Sequence, residues 1–296
     1  MTEATERRFW FGRNWKTFVE RNFNEERAAR GEERLVSFTG RRSLEELDFL
    51  DIGCGSGLHS YAAHKLGARR VLSFDFDENS VAATRLLWEK AGKPANWTVE
   101  RGDVLDSEYL ARLGKWNFVY SWGVLHHTGA MWRAVRNAQS CVADGGQLYI
   151  ALYSKDVQPQ ADMWLRVKKD YVNSGWLRRR GWEVWYVWNH MIDRKIGRIP
   201  EFFDRLSEHR KNRGMDLMTD IRDWLGGWPM EFAGDQETVD LLEGECGFRL
   251  VNVATGEACS EFLFEKTGAP PVRTDVKKFP ARLRAARFAK VVAGPA

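Results

Sequence analysis

Long apolar runs are missing from this sequence: none approaches the roughly 18–20 residues that a helix needs to cross a bilayer. The opening, MTEATERRFWFGRNW, also lacks an apolar h-region, so no secretory leader is expected. Cysteine is sparse. Cys54, Cys141, Cys246 and Cys259 are scattered with no C-x-x-C spacing, which argues against a disulfide framework or a zinc site and reads as reduced thiols in a cytoplasmic protein. Nor does the body of the chain carry a strong charge of one sign. The total is +4, but from Gly268 to Ala296 seven Lys and Arg face the single acid Asp275, so this tail carries +6 and residues 1–267 about −2. A body of that charge is not a basic nucleic-acid binder. The tail reads as a solvated or packed terminal segment, or as a contact for an acidic partner. Internal repeats and low-complexity stretches are absent too.

What is present is ordinary in bulk: 296 residues, 44% hydrophobic and 29% charged, suited to one large globular domain or two modest ones. The unusual feature is 14 Trp, gathered near the N-terminus and between Trp164 and Trp228. Large aromatic faces suit a ligand pocket and suit helix packing equally.

Phe11, Trp15 and Phe18 recur at i, i+4 and i+7, so one or two helices are expected over residues 5–36. Strand and helix signals then alternate. LDFLDIG, RVLSFDFD, WTVERGDV, WNFVYSW and QLYIALY read as strands. GLHSYAAHKLG, NSVAATRLLWEKAG, EYLARLG and MWRAVRNAQSCVADGG read as helices, the last ending in a turn. Such alternation predicts an α/β, Rossmann-like, doubly wound and mostly parallel sheet whose ligand lies beyond the carboxyl ends of the strands. After Tyr153 the alternation stops, and the Trp- and Arg-rich stretch over 155–230 predicts a helical insertion. DQETVDLLEGECGF then reads as a helix, and RLVNVATGE and CSEFLFEKT as strands. The expected division is a helical cap over 1–42, a cofactor-binding core over 43–154, a helical lid or substrate insertion over 155–233, the last helix and strands over 234–267, and the basic tail over 268–296.

The turn after the first strand carries Gly53, Gly55 and Gly57. Glycine lets a backbone bend and approach a ligand closely. The dinucleotide fingerprint needs its third glycine where Leu58 stands, and the triphosphate loop needs a lysine that Leu58 and His59 do not supply. Asp51, just before the turn, disfavours a polyanion and suits an amine or hydroxyl. Asp75, 24 residues later, is placed to accept both hydroxyls of an unphosphorylated ribose. Asp103 can accept from an exocyclic amine while the Val104 N–H donates to a ring nitrogen. Each feature alone is commonplace. In this order they ask for an adenine, a free ribose and a cationic tail, which S-adenosylmethionine combines.

Here LDIGCGSG, FDFD, GDV, VYSWGVLHHTG and VADGGQLYI resemble the successive motifs of class I S-adenosylmethionine-dependent methyltransferases, over residues 45–153. ETVDLLEGECGFRLVNV is similar to the small-molecule branch, which includes quinone-ring methyltransferases. The resemblance implies that Asp51 and Gly53, with the turn glycine Gly55, line the methionine part. It implies that Asp75 and Phe76 bracket ribose and adenine, and that Asp103 and Val104 hold the adenine edge. Asp144-Gly145-Gly146 stands where that family often has Pro-Gly-Gly.

An oxygen or ammonium nucleophile must lose a proton near the end of the fourth strand, where His126 and His127 stand; either is a candidate base, and a positioning role or cofactor contact is an equal reading. Trp122 is expected on the adenine, on the substrate, or in the core. The fourth strand is followed by neither the Pro-Pro signature of nucleic-acid amino-methyltransferases nor a Pro-Cys nucleophile. Ser121 replaces the Asp of metal-dependent catechol-type enzymes, so no required metal is expected. The stretches 11–15 and 213–232, with Arg13, Arg213, Asp216, Asp220 and Asp223, supply candidate pocket residues Phe11, Trp15, Arg222 and Glu231; the alternative is a surface helix laced with ion pairs. The expected activity is methyl transfer to a small-molecule O, N or S nucleophile. The alternatives are an RNA-modifying methyltransferase using the tail, a non-catalytic cofactor-binding regulator, and a nicotinamide oxidoreductase that Leu58 disfavours. The oligomeric state stays open, a homodimer included.

Overall fold

The computed structural model describes residues 11–158, 160–204, 206, 217–256, 258–268 and 273–279. Arg213, Asp216 and most of the basic tail lie outside these, so the readings placed on them are not addressed by it.

Seven strands form one sheet: β1 (Asp48–Ile52), β2 (Arg70–Asp75), β3 (Trp97–Arg101), β4 (Trp116–Trp122), β5 (Val142–Tyr153), β6 (Phe248–Thr255) and β7 (Cys259–Lys266). Their order is β3-β2-β1-β4-β5-β7-β6. The first five run parallel, and β7 pairs antiparallel with both β5 and β6. The mostly parallel, doubly wound sheet expected from the alternation is the sheet found. All five residues of β1 are buried, as a central strand covered on both faces requires. Because β1 is flanked by β2 on one side and β4 on the other, the strand order reverses there. That reversal opens a crevice at the carboxyl ends.

Helices cover both faces. α1 (Gly12–Asn22), α2 (Glu25–Thr39), α3 (Leu58–Lys65) and α4 (Glu78–Lys90) lie on the side where Phe49, Phe118, Tyr120 and Tyr149 are buried. α5 (Ser107–Leu113), α6 (Met131–Ser140) and a helix over Asp235–Cys246 lie on the side of Leu50, Val119, Leu148 and Ile150. Local chemistry fixes the ends. Asn24 accepts from the Arg27 N–H at the start of α2, and Asp106 accepts from Glu108 and Tyr109 at the start of α5, each satisfying donors that the first turn leaves open.

Two boundaries differ from the sequence reading. β3 stops at Arg101 rather than reaching Val104, because Asp103 Oδ1 accepts the Leu105 N–H at 2.8 Å and turns the chain. The turn expected around Asp144-Gly145-Gly146 lies inside β5, which starts at Val142 and shifts register between the pairs Trp116–Val142 and Phe118–Gln147. Among the described residues the segment after β5 contains α7 (Ala161–Asn173), α8 (Trp176–Tyr186) and a helix over Leu217–Gly226. These enclose a small core of their own around Trp164, Tyr171, Ile221 and Leu225.

Candidate active site

A cavity of 690 Å³ opens at the carboxyl ends of the strands. Its floor begins at the turn between β1 and α3. Gly53 has φ +75, and a Cβ there would lie 2.3 Å from Val124 Cγ1, so both the backbone sign and the close approach demand glycine. The turn is held by β2: the Gly53 and Cys54 N–H groups donate to the Phe74 carbonyl at 2.8 and 3.0 Å. Asp75 Oδ2 accepts from Gly55 N at 3.0 Å, and Oδ1 from Asp77 N at 2.9 Å. Burial pushes the Asp75 carboxyl up to about 6. Asp51, on β1 two residues before Gly53, is buried. Its Oδ2 accepts from the Ser60 hydroxyl, and burial, with Asp75 nearby, pushes it up to about 7.

Asp51, Gly53, Gly55, Asp75, Phe76, Asp103, Val104 and Trp122 all line this one cavity. The ionisable carboxylates at the β1–β3 end are Asp51, Asp75, Asp77 and Asp103, while the arginine of the lining, Arg34, stands at the other side near β5 and β7. Four acids around a glycine turn reject a pyrophosphate. They fit an uncharged ribose, whose hydroxyls can share the two Asp75 oxygens, and a cationic tail beside Asp51.

The roof comes from far along the chain. Gly12 donates its N–H to Asp77 Oδ2 at 2.8 Å, which seats α1 across the start of α4; a Cβ on Gly12 would fall 2.4 Å from that oxygen. Trp15 then lies against Gly55, its Nε1 3.4 Å from where a Cβ would stand. Asn14 Nδ2 donates to Asp223 Oδ1 at 2.5 Å, joining α1 to the helix over Leu217–Gly226. Burial, with Asp220 nearby, pushes Asp223 up to about 7. Phe11, Trp15, Tyr153, Trp224 and Trp228 make this end of the cavity aromatic. Lys168, almost wholly buried, donates to the Trp224 carbonyl and lies 4.1 Å from the centroid of its ring, holding that side chain in place.

The two histidines separate. His127 lines the cavity, and its Nδ1 stands 2.9 Å from the Pro229 carbonyl. A carbonyl only accepts, so in the neutral ring Nδ1 carries the hydrogen and Nε2 the lone pair. His126 is not on the cavity wall. It is 0% exposed, packs on the Tyr153 ring at 4.2 Å, and burial holds it well below the usual imidazole range. A neutral, enclosed ring of this kind supports Tyr153 and exchanges no proton with a ligand, which corrects the reading of His126 as a candidate base. Two pocket candidates are corrected as well. Arg222 Nε pairs with Glu183 Oε1 at 3.3 Å, bracing the inserted helices against each other. Glu231 Oε2 accepts the Met131 N–H at 2.7 Å, capping α6 outside the cavity.

Sequence reasoning passed over Arg34, Tyr120, Tyr153 and Glu261. Arg34 of α2 pairs with Glu261 of β7, and Tyr149 donates to the other oxygen of Glu261 at 2.5 Å. The signal was present in CSEFLFEK. Glu261 falls on the same strand face as Leu263, which is wholly buried, and a charge in such a place needs a partner.

The methyltransferase domain family model matches residues 13–207. Among curated relatives, the ubiquinone biosynthesis O-methyltransferase of Parvibaculum lavamentivorans is 28% identical over 153 residues, 51% of this chain and 57% of that protein. The tRNA U34 carboxymethyltransferase of Cellvibrio japonicus is 28% identical over 108 residues, 36% of this chain and 33% of that protein. The chain thus spans about half the length of the first of these and a third of the second. Of solved structures, an O-methyltransferase family protein from Burkholderia thailandensis shares the fold with a TM-score of 0.53 at 10% identity, over 88% of this chain and 60% of that one. With a family match across some two thirds of its length, and with the glycine turn and strand-end acids in one cavity, the chain belongs to the methyltransferase domain family, the class I methyltransferases that use S-adenosylmethionine.

Proposed function

We propose that this chain methylates a small aromatic acceptor at an oxygen, nitrogen or sulfur, with the cofactor lying along β1–β3 and the acceptor under the aromatic roof. The observation that carries the reading is one continuous cavity in which the acid-lined glycine turn and the box of Phe11, Tyr153, Trp224 and Trp228 share a wall. S-adenosylmethionine supplies a methyl group on a positively charged sulfur. Asp75 would receive the ribose hydroxyls and Asp51 the ammonium of the amino-acid end. His127 Nε2 would take the acceptor's proton while the acceptor attacks in line, the bound cofactor supplying the methyl group and a neutral thioether leaving group. Flat aromatic walls align the nucleophile and exclude water. The inserted block over 155–233 serves as the substrate domain, with α1 as a cap.

The names of the ubiquinone-biosynthesis relatives support an aromatic ring as acceptor. The tRNA-modifying relatives favour a second reading, a base in RNA. Turnover of methyl-labelled cofactor over a panel of phenols, catechols, quinols, arylamines, thiols and bulk tRNA decides between them. Label in an aromatic ether, N-methylarylamine or thioether is expected; label in tRNA alone, or none anywhere, would sink the proposal.

A further inference from the structure

Beneath the glycine turn runs a chain of buried hydrogen bonds that the proposed reaction does not use. Trp97, at the start of β3, donates its indole N–H to Ser73 Oγ on β2 at 2.8 Å. Ser73 Oγ lies 2.6 Å from Ser60 Oγ on α3, and Ser60 donates to Asp51 Oδ2 at 2.5 Å. Ser73 and Asp51 are paired positions of adjacent strands. Trp97 and Asp51 are 2% exposed and both serines 0%.

With Asp51 ionised, the direction of the chain follows from chemistry. An indole N–H only donates, and a carboxylate only accepts. Ser60 spends its hydrogen on Asp51, so the Ser73 hydrogen points to Ser60. All three hydrogens therefore point toward one carboxylate, and each bond polarises the next. The group hydrogen-bonded to Asp51 is a hydroxyl rather than a cation. The groups facing it are Asp75 from β2, Cys54 in the turn and Tyr120 from β4. None of these supplies positive charge, so an ionised Asp51 calls for a cationic group on the ligand.

We propose that Trp97, Ser73 and Ser60 are positioning residues that fix Asp51 Oδ2, hold the carboxylate in its charged form, and present Oδ1 to the ammonium of the cofactor's amino-acid end. This rests on the cofactor reading above and adds residues, one of them two strands away on β3, that do not line the cavity. Without the chain, Asp51 takes up a proton at higher pH, and the ammonium loses its partner under neutral conditions.

The test is calorimetric titration of the full chain with S-adenosylhomocysteine and with 5′-methylthioadenosine, which lacks the amino-acid end, between about pH 5.5 and 8.5. In S60A, homocysteine-ligand affinity is expected to fall about tenfold near pH 7, with its pH midpoint raised by roughly one unit. Methylthioadenosine, which meets Asp75 but not Asp51, should keep its affinity within about twofold. S73A should move the same way by less, and S60T, which keeps the hydroxyl, should restore the profile. An unchanged midpoint in S60A, or equal losses for both ligands, would overturn the proposal while leaving the cofactor reading intact. A wild-type chain that binds neither ligand would overturn the cofactor reading, and this proposal with it.

Discussion

The two ends of the cavity are assembled in different ways. The glycine-turn end is made from strand ends and the loops that follow them, within residues 51–104, and Asp75 and Asp103 there are held by backbone N–H groups of the same segment. The aromatic end draws on α1, the loop after β4, the end of β5 and the helix over Leu217–Gly226. Long-range contacts hold it together, such as Asn14 with Asp223, 209 positions apart. Backbone-built sites depend on φ and ψ signs and tolerate no side chain at Gly53. Side-chain-built sites depend on packing, and single residues in them can be exchanged with local consequences. The first kind suits a ligand common to a family and the second a ligand that varies.

That contrast can be broken or sharpened by substitution. The largest effect is expected at His127. His127→Ala should lower kcat by roughly 10²–10⁴-fold while calorimetry finds S-adenosylhomocysteine affinity unchanged; undiminished turnover would remove the base from the reaction. Next is Asp75→Ala, which deletes a half-buried acceptor at the cavity wall and should weaken S-adenosylhomocysteine about 100-fold, on the order of 3 kcal/mol. In the unmodified chain the same carboxyl, raised to about 6, should make cofactor affinity fall as pH drops below that value, because its protonated form gives up an acceptor oxygen. A smaller, one-sided effect is expected from Trp228→Ala: acceptor KM up about tenfold, with cofactor affinity unmoved. A parallel loss of cofactor affinity would show that the two ends are not separable. The smallest effect is expected at Arg222→Gln. Its partner Glu183 is buried and also bonded by Arg180 and Tyr171, so melting temperature should drop by a few degrees while both affinities stay as they are.

The uneven legibility of the sequence follows the same division. The β1–α3 turn and Asp75 could be read because the strand period and the glycine spacing place them without reference to anything distant. Asp103 was read as part of the end of β3, which made the strand three residues too long; its own side chain makes the turn that follows the strand. His126 and His127 are neighbours with identical chemistry. No local pattern says that one faces the Tyr153 ring and the other the cavity. Arg222 and Glu231 had the right charges for a pocket, and helix packing turned both toward other partners.

Alternating apolar periodicity, glycines at forced backbone angles and acids at strand ends determined the doubly wound sheet and its cofactor crevice, because these are short-range constraints that the chain meets wherever it folds. Only the tertiary structure decided which histidine reaches the cavity, which tryptophans roof it, and that Arg34 stands with Glu261 across 227 positions. Those outcomes depend on side chains competing for the same buried volume, and that competition is settled when the inserted helices and α1 close over the sheet.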